Sequence, residues 1–284
     1  MANKKLKAPV NIPVSKIHPF EGNPYKVLDN DEMNNLIGSI QEQGILTPII
    51  IRPIENTDEY EVISGHRRLH ATVKAGMKEV PAFIYAVTRD EAAIMLVDSN
   101  LHREHILPSE KAFAYKLKLE ALSHQGQTSR QLGEKWSVTQ VSESANESER
   151  QIHRYIRLTY LIPELLDLVD EGKIALTPAV ELSYLTDEEQ YALLDAIELE
   201  ERTPSLSQAV RFKKLSQTGE LSYEDIETIM QEDKANQKPM FKVSMERLQK
   251  VAPKVKDKDF EDFVLKACEH YYRYLLRQRD RDSR

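Results

Sequence analysis

EVISGHRRLHA, Glu61 to Ala71, is the stretch on which the reading of the first hundred residues turns. A β-rich run ends at a glycine, and a helix opens directly behind it with two arginines. Such a junction leaves backbone N–H groups pointing outward at the helix N-terminus, where the helix dipole favours an anion. Cationic side chains at the same end oppose that dipole. Arg67 and Arg68 are therefore unfavourable there unless an anion such as phosphate sits between them, or unless nearby acids such as Glu59 or Asp98 pair with them. Both readings stand at this point.

Working outward, the same rhythm of strand and helix continues. Residues 9–20, PVNIPVSKIHPF, read as a short strand and a Pro-bounded turn. Asp29 or Asn30 caps a helix with Met33, Leu36, Ile37 and Ile40 on one side, ended by Gly44. ILTPIIIRP, Ile45 to Pro53, is a strand apolar throughout and so buried on both faces. A turn at 56–58 leads to a strand over 59–65, a helix to Gly76, a strand VPAFIYAV and a helix over 89–104. This alternation predicts a small α/β domain over residues 1–105.

Beyond Leu107-Pro108 the strand signals stop. Helices are expected at 109–123, 128–136, 138–145, 148–160, 163–171, 177–184, 187–200 and 205–217, giving an all-α domain over 106–220. Residues 221–240 read as a polar linker. A terminal segment follows, with a break at Pro253 and a helix from Asp259 that carries Phe260, Phe263, Val264, Ala267, Tyr271, Tyr274 and Leu275 as an apolar stripe. The fold class expected is α+β and multi-domain.

Within the helical part, VTQVSESANESERQIHRYIRL, Val138 to Leu158, has the form of two short helices with a tight turn. Val141 and Ala145 face inward on the first. Asn146 falls at the turn, where Asn tolerates the left-handed conformation. Ser148 caps the second helix, and Ile152, Tyr155 and Ile156 pack it down. The N-terminal part of such a helix meets base edges in a major groove, which nominates Ser148, Arg150, Gln151 and Arg154 as DNA contacts. An ordinary amphipathic hairpin fits the same pattern, and Glu147 and Glu149 would repel phosphates.

Bulk properties set the frame. The formal net charge is −7, but Glu181 to Ala235 carries fourteen acidic and five basic residues, leaving the rest of the chain at +2. DNA affinity follows local potential, not total charge. A single cysteine, Cys268, excludes an intrachain disulfide and zinc sites with two or more Cys ligands. The N-terminus MANKKLKAPV lacks the apolar run of a signal peptide, and no stretch reaches the roughly 18 apolar residues of a membrane span. A cytoplasmic protein with no membrane partner is expected.

Three motifs carry a family resemblance. GHRRLHA, Gly65 to Ala71, resembles the central motif of the ParB family's N-terminal domain, Gly-Glu-Arg-Arg-x-Arg-Ala. GILTPIIIRP, Gly44 to Pro53, is similar to its first motif, Gly-(Ile/Leu)-x-x-Pro before a β run. SNLHREHILPSEKAFAY, Ser99 to Tyr115, resembles its third. The resemblance covers about residues 9–215. It implies a ParB/sulfiredoxin-like first domain that binds CTP with Mg2+ and closes a clamp on DNA, followed by a helix-turn-helix domain. Gly44, Ile45 and Pro48 would line the nucleotide site. Gly65, His66, Arg67 and Arg68 would hold the triphosphate, and Asn100 and Arg103 would lie near the phosphates, with Asn100 on the metal.

The departures from the pattern matter. His66 replaces the motif Glu, His70 its last Arg, Thr47 a common Gln, and Ser99 the acid tied to hydrolysis. A hydroxyl does not polarise water as a carboxylate does, so a weak CTPase at most is expected, with no catalytic residue assigned. The thiol chemistry of the related sulfiredoxins is excluded, because Ser64 and Gly65 stand where a Cys would be required. What the resemblance implies is a partition protein on an inverted-repeat DNA site, homodimeric and working with a ParA-type ATPase. A ParB-like transcriptional regulator is the alternative, and a nuclease a more distant one.

Overall fold

A computed structural model of the chain describes residues 8–101, 103, 105–125, 130–232, 244–252, 255–256 and 259–282. They form two compact units, residues 1–232 and 233–284.

The first unit begins with a mixed five-stranded sheet, built from β1 (Val10–Pro13), β2 (Ile17–His18), β3 (Ile49–Pro53), β4 (Tyr60–Ser64) and β5 (Glu79–Ile84), in the order β1-β5-β3-β4-β2. β3 lies between β4, antiparallel, and β5, parallel, which is why its run of three isoleucines is tolerated: Ile49 and Ile51 are fully buried. The strand is shorter than the sequence suggested. It starts at Ile49, because Ile45 to Pro48 form the loop that enters it.

Three helices complete the domain. α1 (Asp31–Gln43) is capped by Asn30, whose side chain accepts from the Met33 N–H, and it ends at Gly44 with φ +72°. α2 (His66–Lys74) starts at Gly65, at φ +101°, a conformation that favours glycine. α3 (Arg89–Asn100) carries a full capping box between Thr88 and Glu91. Its Ala92, Ala93, Leu96 and Val97 bury against Phe20, Tyr25 and Ile63.

α4 (Pro108–Gln125) joins the two halves of this unit. Ala114 and Ala121 belong to the α3 core, Tyr115 to a second core with Val141 and Ile152, and Ala112 to a third with Leu158, Leu165 and Leu182. Residues 1–105 and 106–220, separated in the sequence reading, are thus packed together along one helix.

The remaining helices are α5 (Arg130–Ala145), α6 (Glu149–Arg157), α7 (Pro163–Asp170), α8 (Leu176–Leu182), α9 (Asp187–Glu200), α10 (Leu206–Thr218) and α11 (Tyr223–Gln231). Two expectations change here. The helices expected at 128–136 and 138–145 are one continuous α5, because Ser137 is buried inside it and does not cap a new helix. The linker expected from 221 is helical as far as Gln231. Ser222 and Asp225 form a capping box, and Ile226, Ile229 and Met230 bury in the α7–α10 core.

The second unit holds α12 (Met245–Val251) and α13 (Phe260–Asp282). No described helix is long and apolar enough to cross a membrane.

Candidate nucleotide and nucleic-acid sites

The β4–α2 junction places Gly65 against Ile49 and Arg68. A Cβ at Gly65 would stand 2.8 Å from Ile49 Cγ2 and 3.0 Å from Arg68 Nη2. Arg68 folds back over the glycine and donates to the carbonyls of Thr47 and Pro48, the latter at 2.7 Å. Burial pulls its guanidinium below its usual range. Arg68 thus stitches α2 to the loop before β3, and its cost at the helix N-terminus is met by two carbonyl oxygens. Arg67 turns the other way, to Glu32 on α1 at 3.0 Å, and is half-exposed. The acids considered from sequence, Glu59 and Asp98, pair elsewhere, with His18 and Lys118.

His66 opens α2 beside the Phe20–Tyr25 loop, where its Nε2 accepts the Phe20 N–H at 3.4 Å. Burial, and then the charge of Arg103, hold its pKa down to about 4. The imidazole is therefore neutral at pH 7. Arg103 itself lies over the Tyr25 ring, 5.6 Å from its centroid, and its N–H donates to the carbonyl of Asn100. Asn100 is buried at the end of α3. Its Nδ2 donates to the Leu96 carbonyl at 2.7 Å and to Ser99 Oγ at 3.3 Å, so what it offers a ligand is its carbonyl oxygen.

The fold therefore brings Pro48, Gly65, His66 and Arg68 into one place and sets Arg103, whose backbone N–H is bonded to Asn100, near His66. Gly44 and Ile45 end α1 and enter the same loop as Pro48, with Ile45 packed between the sheet core and the α1 core. Arg67 stands at the edge, paired to Glu32 of α1. His70 joins Lys74 on Asp29, at 2.8 and 2.6 Å, on the exposed side of α2. Phe20 and Tyr25 were missed as neighbours of the site. They lie in HPFEGNPY, a Pro-bounded loop with no pattern of its own. Among the described residues no group of three or more His, Cys, Asp or Glu is placed to hold a metal.

The second candidate is the turn between α5 and α6. Asn146 has φ +52°, and Ser148 Oγ accepts from the Gln151 N–H at 3.2 Å. Val141 and Ile152 are fully buried across the turn. Glu149 and Arg150 are exposed in the first turn of α6, and His153 one turn on. Arg154 donates to Gln151 Oε1 at 3.1 Å and to Thr177 Oγ1 at 2.6 Å, on α8. Arg157 donates to the Ser183 carbonyl and hydroxyl at 2.6 and 3.0 Å. α6 is thereby held against α8 by two arginines, while Arg150 stays outward.

Glu147, which the sequence placed as a phosphate repellent, is mostly buried and paired to Lys111 of α4 at 2.7 Å. Its Oε2 is the single buried side-chain oxygen without a partner among the described residues.

Residues 2–101 match the model of the ParB N-terminal domain. The chain is 32% identical over 165 residues to the chromosome-partitioning protein Spo0J of Thermus thermophilus, covering 58% of this chain and 56% of that protein. It is 36% identical over 109 residues to a nucleoid occlusion protein of Listeria monocytogenes, covering 38% of each. Among solved structures it resembles the C-terminally truncated ParB from Caulobacter crescentus complexed to the centromeric parS site. There the identity is 19%, the TM-score 0.41, and coverage 78% of this chain and 98% of that one. The chain thus spans little more than half the length of the first of these relatives and under two-fifths of the second.

Proposed function

We propose, on the premise that residues 2–101 belong to the ParB N-terminal domain family, that this protein is a CTP-gated, sequence-specific DNA-binding partition protein. One observation carries the reading: α4 packs against both α3, at whose end Asn100 lies, and the α5–α6 hairpin, so the candidate nucleotide domain and the candidate DNA-reading helix share one helix. An anion at the cradle would meet the α2 N-terminus, with Arg67 free to turn from Glu32 and Arg103 within reach of His66. The Gly44–Pro48 loop would line the base. Any Mg2+ would be held mainly by the triphosphate, with the Asn100 side-chain oxygen as one protein donor, since Mg2+ is commonly held by substrate phosphates and few side chains.

Hydrolysis is expected to be slow or absent. Ser99 spends its hydroxyl proton on the Leu96 carbonyl at 3.0 Å and offers no base. The protein acts as a homodimer on an inverted-repeat site, engages a ParA-type ATPase, and works in the cytoplasm on nucleoid or plasmid DNA. The similarity to a nucleoid occlusion protein favours a second reading, a ParB-like DNA-bound regulator, by the same chemistry.

The test is recovery and sequencing of genomic fragments bound by the full chain, with and without CTP and Mg2+. A short inverted repeat recovered without nucleotide, and broadened around that site with CTP, is expected. Recovery of random fragments in both cases rejects the reading. Loss of a replicon on deletion, against altered transcript levels, separates partition from regulation.

A further inference from the structure

We propose that Lys118 is the positioning residue through which the nucleotide site and the DNA-reading helix sense one another. The inference rests on the CTP- and DNA-binding reading above. Lys118 sits midway along α4 with a side chain only 4% exposed. Its ammonium bonds the carboxylate of Asp98 on α3 and, at 2.6 Å, Ser144 Oγ on α5. Ser144 gives its own proton to the Val141 carbonyl at 2.9 Å, so its oxygen is an acceptor for the lysine.

Packing does not demand this charge. The neighbouring α4 positions are Ala114, Ala121, Leu117 and Leu122, all in apolar clusters. Only the lysine is buried, Asp98 being 45% exposed, and an apolar side chain in place of a buried charge is often neutral or stabilising. What a buried ammonium adds is dependence on its partners' positions. Withdrawing one of them leaves a desolvated charge short of a hydrogen bond, which is unfavourable.

The two partners sit where such dependence has consequences. Asp98 precedes Ser99 and Asn100 in the last turn of α3, where the candidate phosphate and metal contacts lie. Ser144 stands in the last turn of α5, two residues before Asn146 at the turn and four before the α6 cap at Ser148. A nucleotide that shifts the end of α3 moves Asp98 relative to Lys118, and the ammonium transmits the change to the element that sets the pitch of α6. By reciprocity, DNA bound on α6 alters the nucleotide site by the same factor. Lys111 supplies the contrast. It ties α4 to the turn through Glu147 but has no partner on α3.

The experiment uses the full chain, CTP with Mg2+, and a duplex recovered in the genomic selection. CTP affinity is measured by calorimetry with and without the duplex. In the unmodified chain the ratio should differ from one by at least about fivefold. Lys118→Met should bring it close to one while each ligand alone binds nearly as before, whereas Lys111→Met should keep it. Ser144→Ala, which leaves an ordinary helix, should lower it in the same direction. Hydrogen exchange adds a readout that stability alone would not move: CTP should alter amides of 141–146 in the unmodified chain and not in Lys118→Met. A wild-type ratio surviving in both Lys118→Met and Ser144→Ala overturns the proposal, as does a ratio of one in the unmodified chain. Failure of that chain to bind CTP or DNA singly is seen before the ligands are combined, and it refutes the function itself.

Discussion

Arg67 and Arg68 are adjacent in sequence and are held by different parts of the domain. Read from sequence they form one cationic pair, because a helix start with two arginines carries no sign of which will find acceptors. The structure gives Arg68 to the Thr47 and Pro48 carbonyls and Arg67 to Glu32. Arg67→Ala is therefore expected to lower CTP affinity at least about tenfold, since a charge-assisted hydrogen bond contributes roughly 1.5–3 kcal/mol, with little change in melting temperature. Arg68→Ala should lose affinity and also lower unfolding free energy by about 2 kcal/mol, because it frees the loop before β3. Calorimetry and urea unfolding on both variants separate the roles, and equal stability of the two would contradict this division.

His66 adds a pH dependence at the same scale. Its folded pKa of about 4 lies below the ordinary histidine value of 6.5, so the unfolded chain binds the extra proton between them. Its contribution to stability is complete above pH 6.5 and is lost as pH falls toward 4. Urea midpoints taken across pH 4 to 7 should rise through this window, and His66→Gln should flatten part of the rise. A variant with the unmodified slope would show that other groups carry it. Gly65 and the motif spacing made the cradle legible in the sequence. The Phe20 N–H that donates to His66 and the Arg103–Tyr25 contact were not, because they come from a loop and a helix end joined only in three dimensions.

At the scale of elements, local chemistry made most boundaries legible and tertiary burial decided the exceptions. Asn30, Thr88, Ser148, Thr186 and Ser205 cap their helices with their own side chains, and each is a Ser, Thr or Asn just ahead of a helical pattern. Ser137 looks like such a cap and is instead an interior residue of α5. α11 is polar enough to resemble a linker, yet buries its three apolar residues. For the turn between α5 and α6, the outward positions are Arg150 and His153, and Gln151 is held by Arg154. Gln151→Ala, which removes a side chain beside the outward Arg150 and releases Arg154, should relax preference at one base pair by about 1–3 kcal/mol. Lys214, exposed on α10, is the control. Lys214→Ala should leave the preference intact and at most lower the salt slope by roughly one. An unchanged preference in Gln151→Ala with DNA binding retained would reduce this unit to a packing hairpin.

For the whole molecule, the open question is what covers α13. Phe263, Tyr271, Tyr274 and Leu275 are exposed on one side of this 23-residue helix, with Leu265, Tyr272 and Leu276 exposed on another. Tyr271 and Tyr274 stack at 6.2 Å, and so present one broad aromatic surface. Exposed apolar area of this extent marks an interaction site. A helix of this length, roughly 35 Å at 1.5 Å per residue, offers enough surface for a partner of the same kind. A second copy suits the function proposed here, since an inverted-repeat site is matched by a two-fold protein. Removal of residues 260–284 should therefore convert a dimer to a monomer in sedimentation equilibrium. The two-residue change Tyr271→Ser with Leu275→Ser should raise the dimer dissociation constant by at least about tenfold, each lost apolar contact contributing roughly 1–2 kcal/mol. Affinity for a single half-site should hold, while affinity for the full repeat falls. A truncated chain that stays dimeric would assign the self-association to residues 1–259, and α13 would then need a different partner.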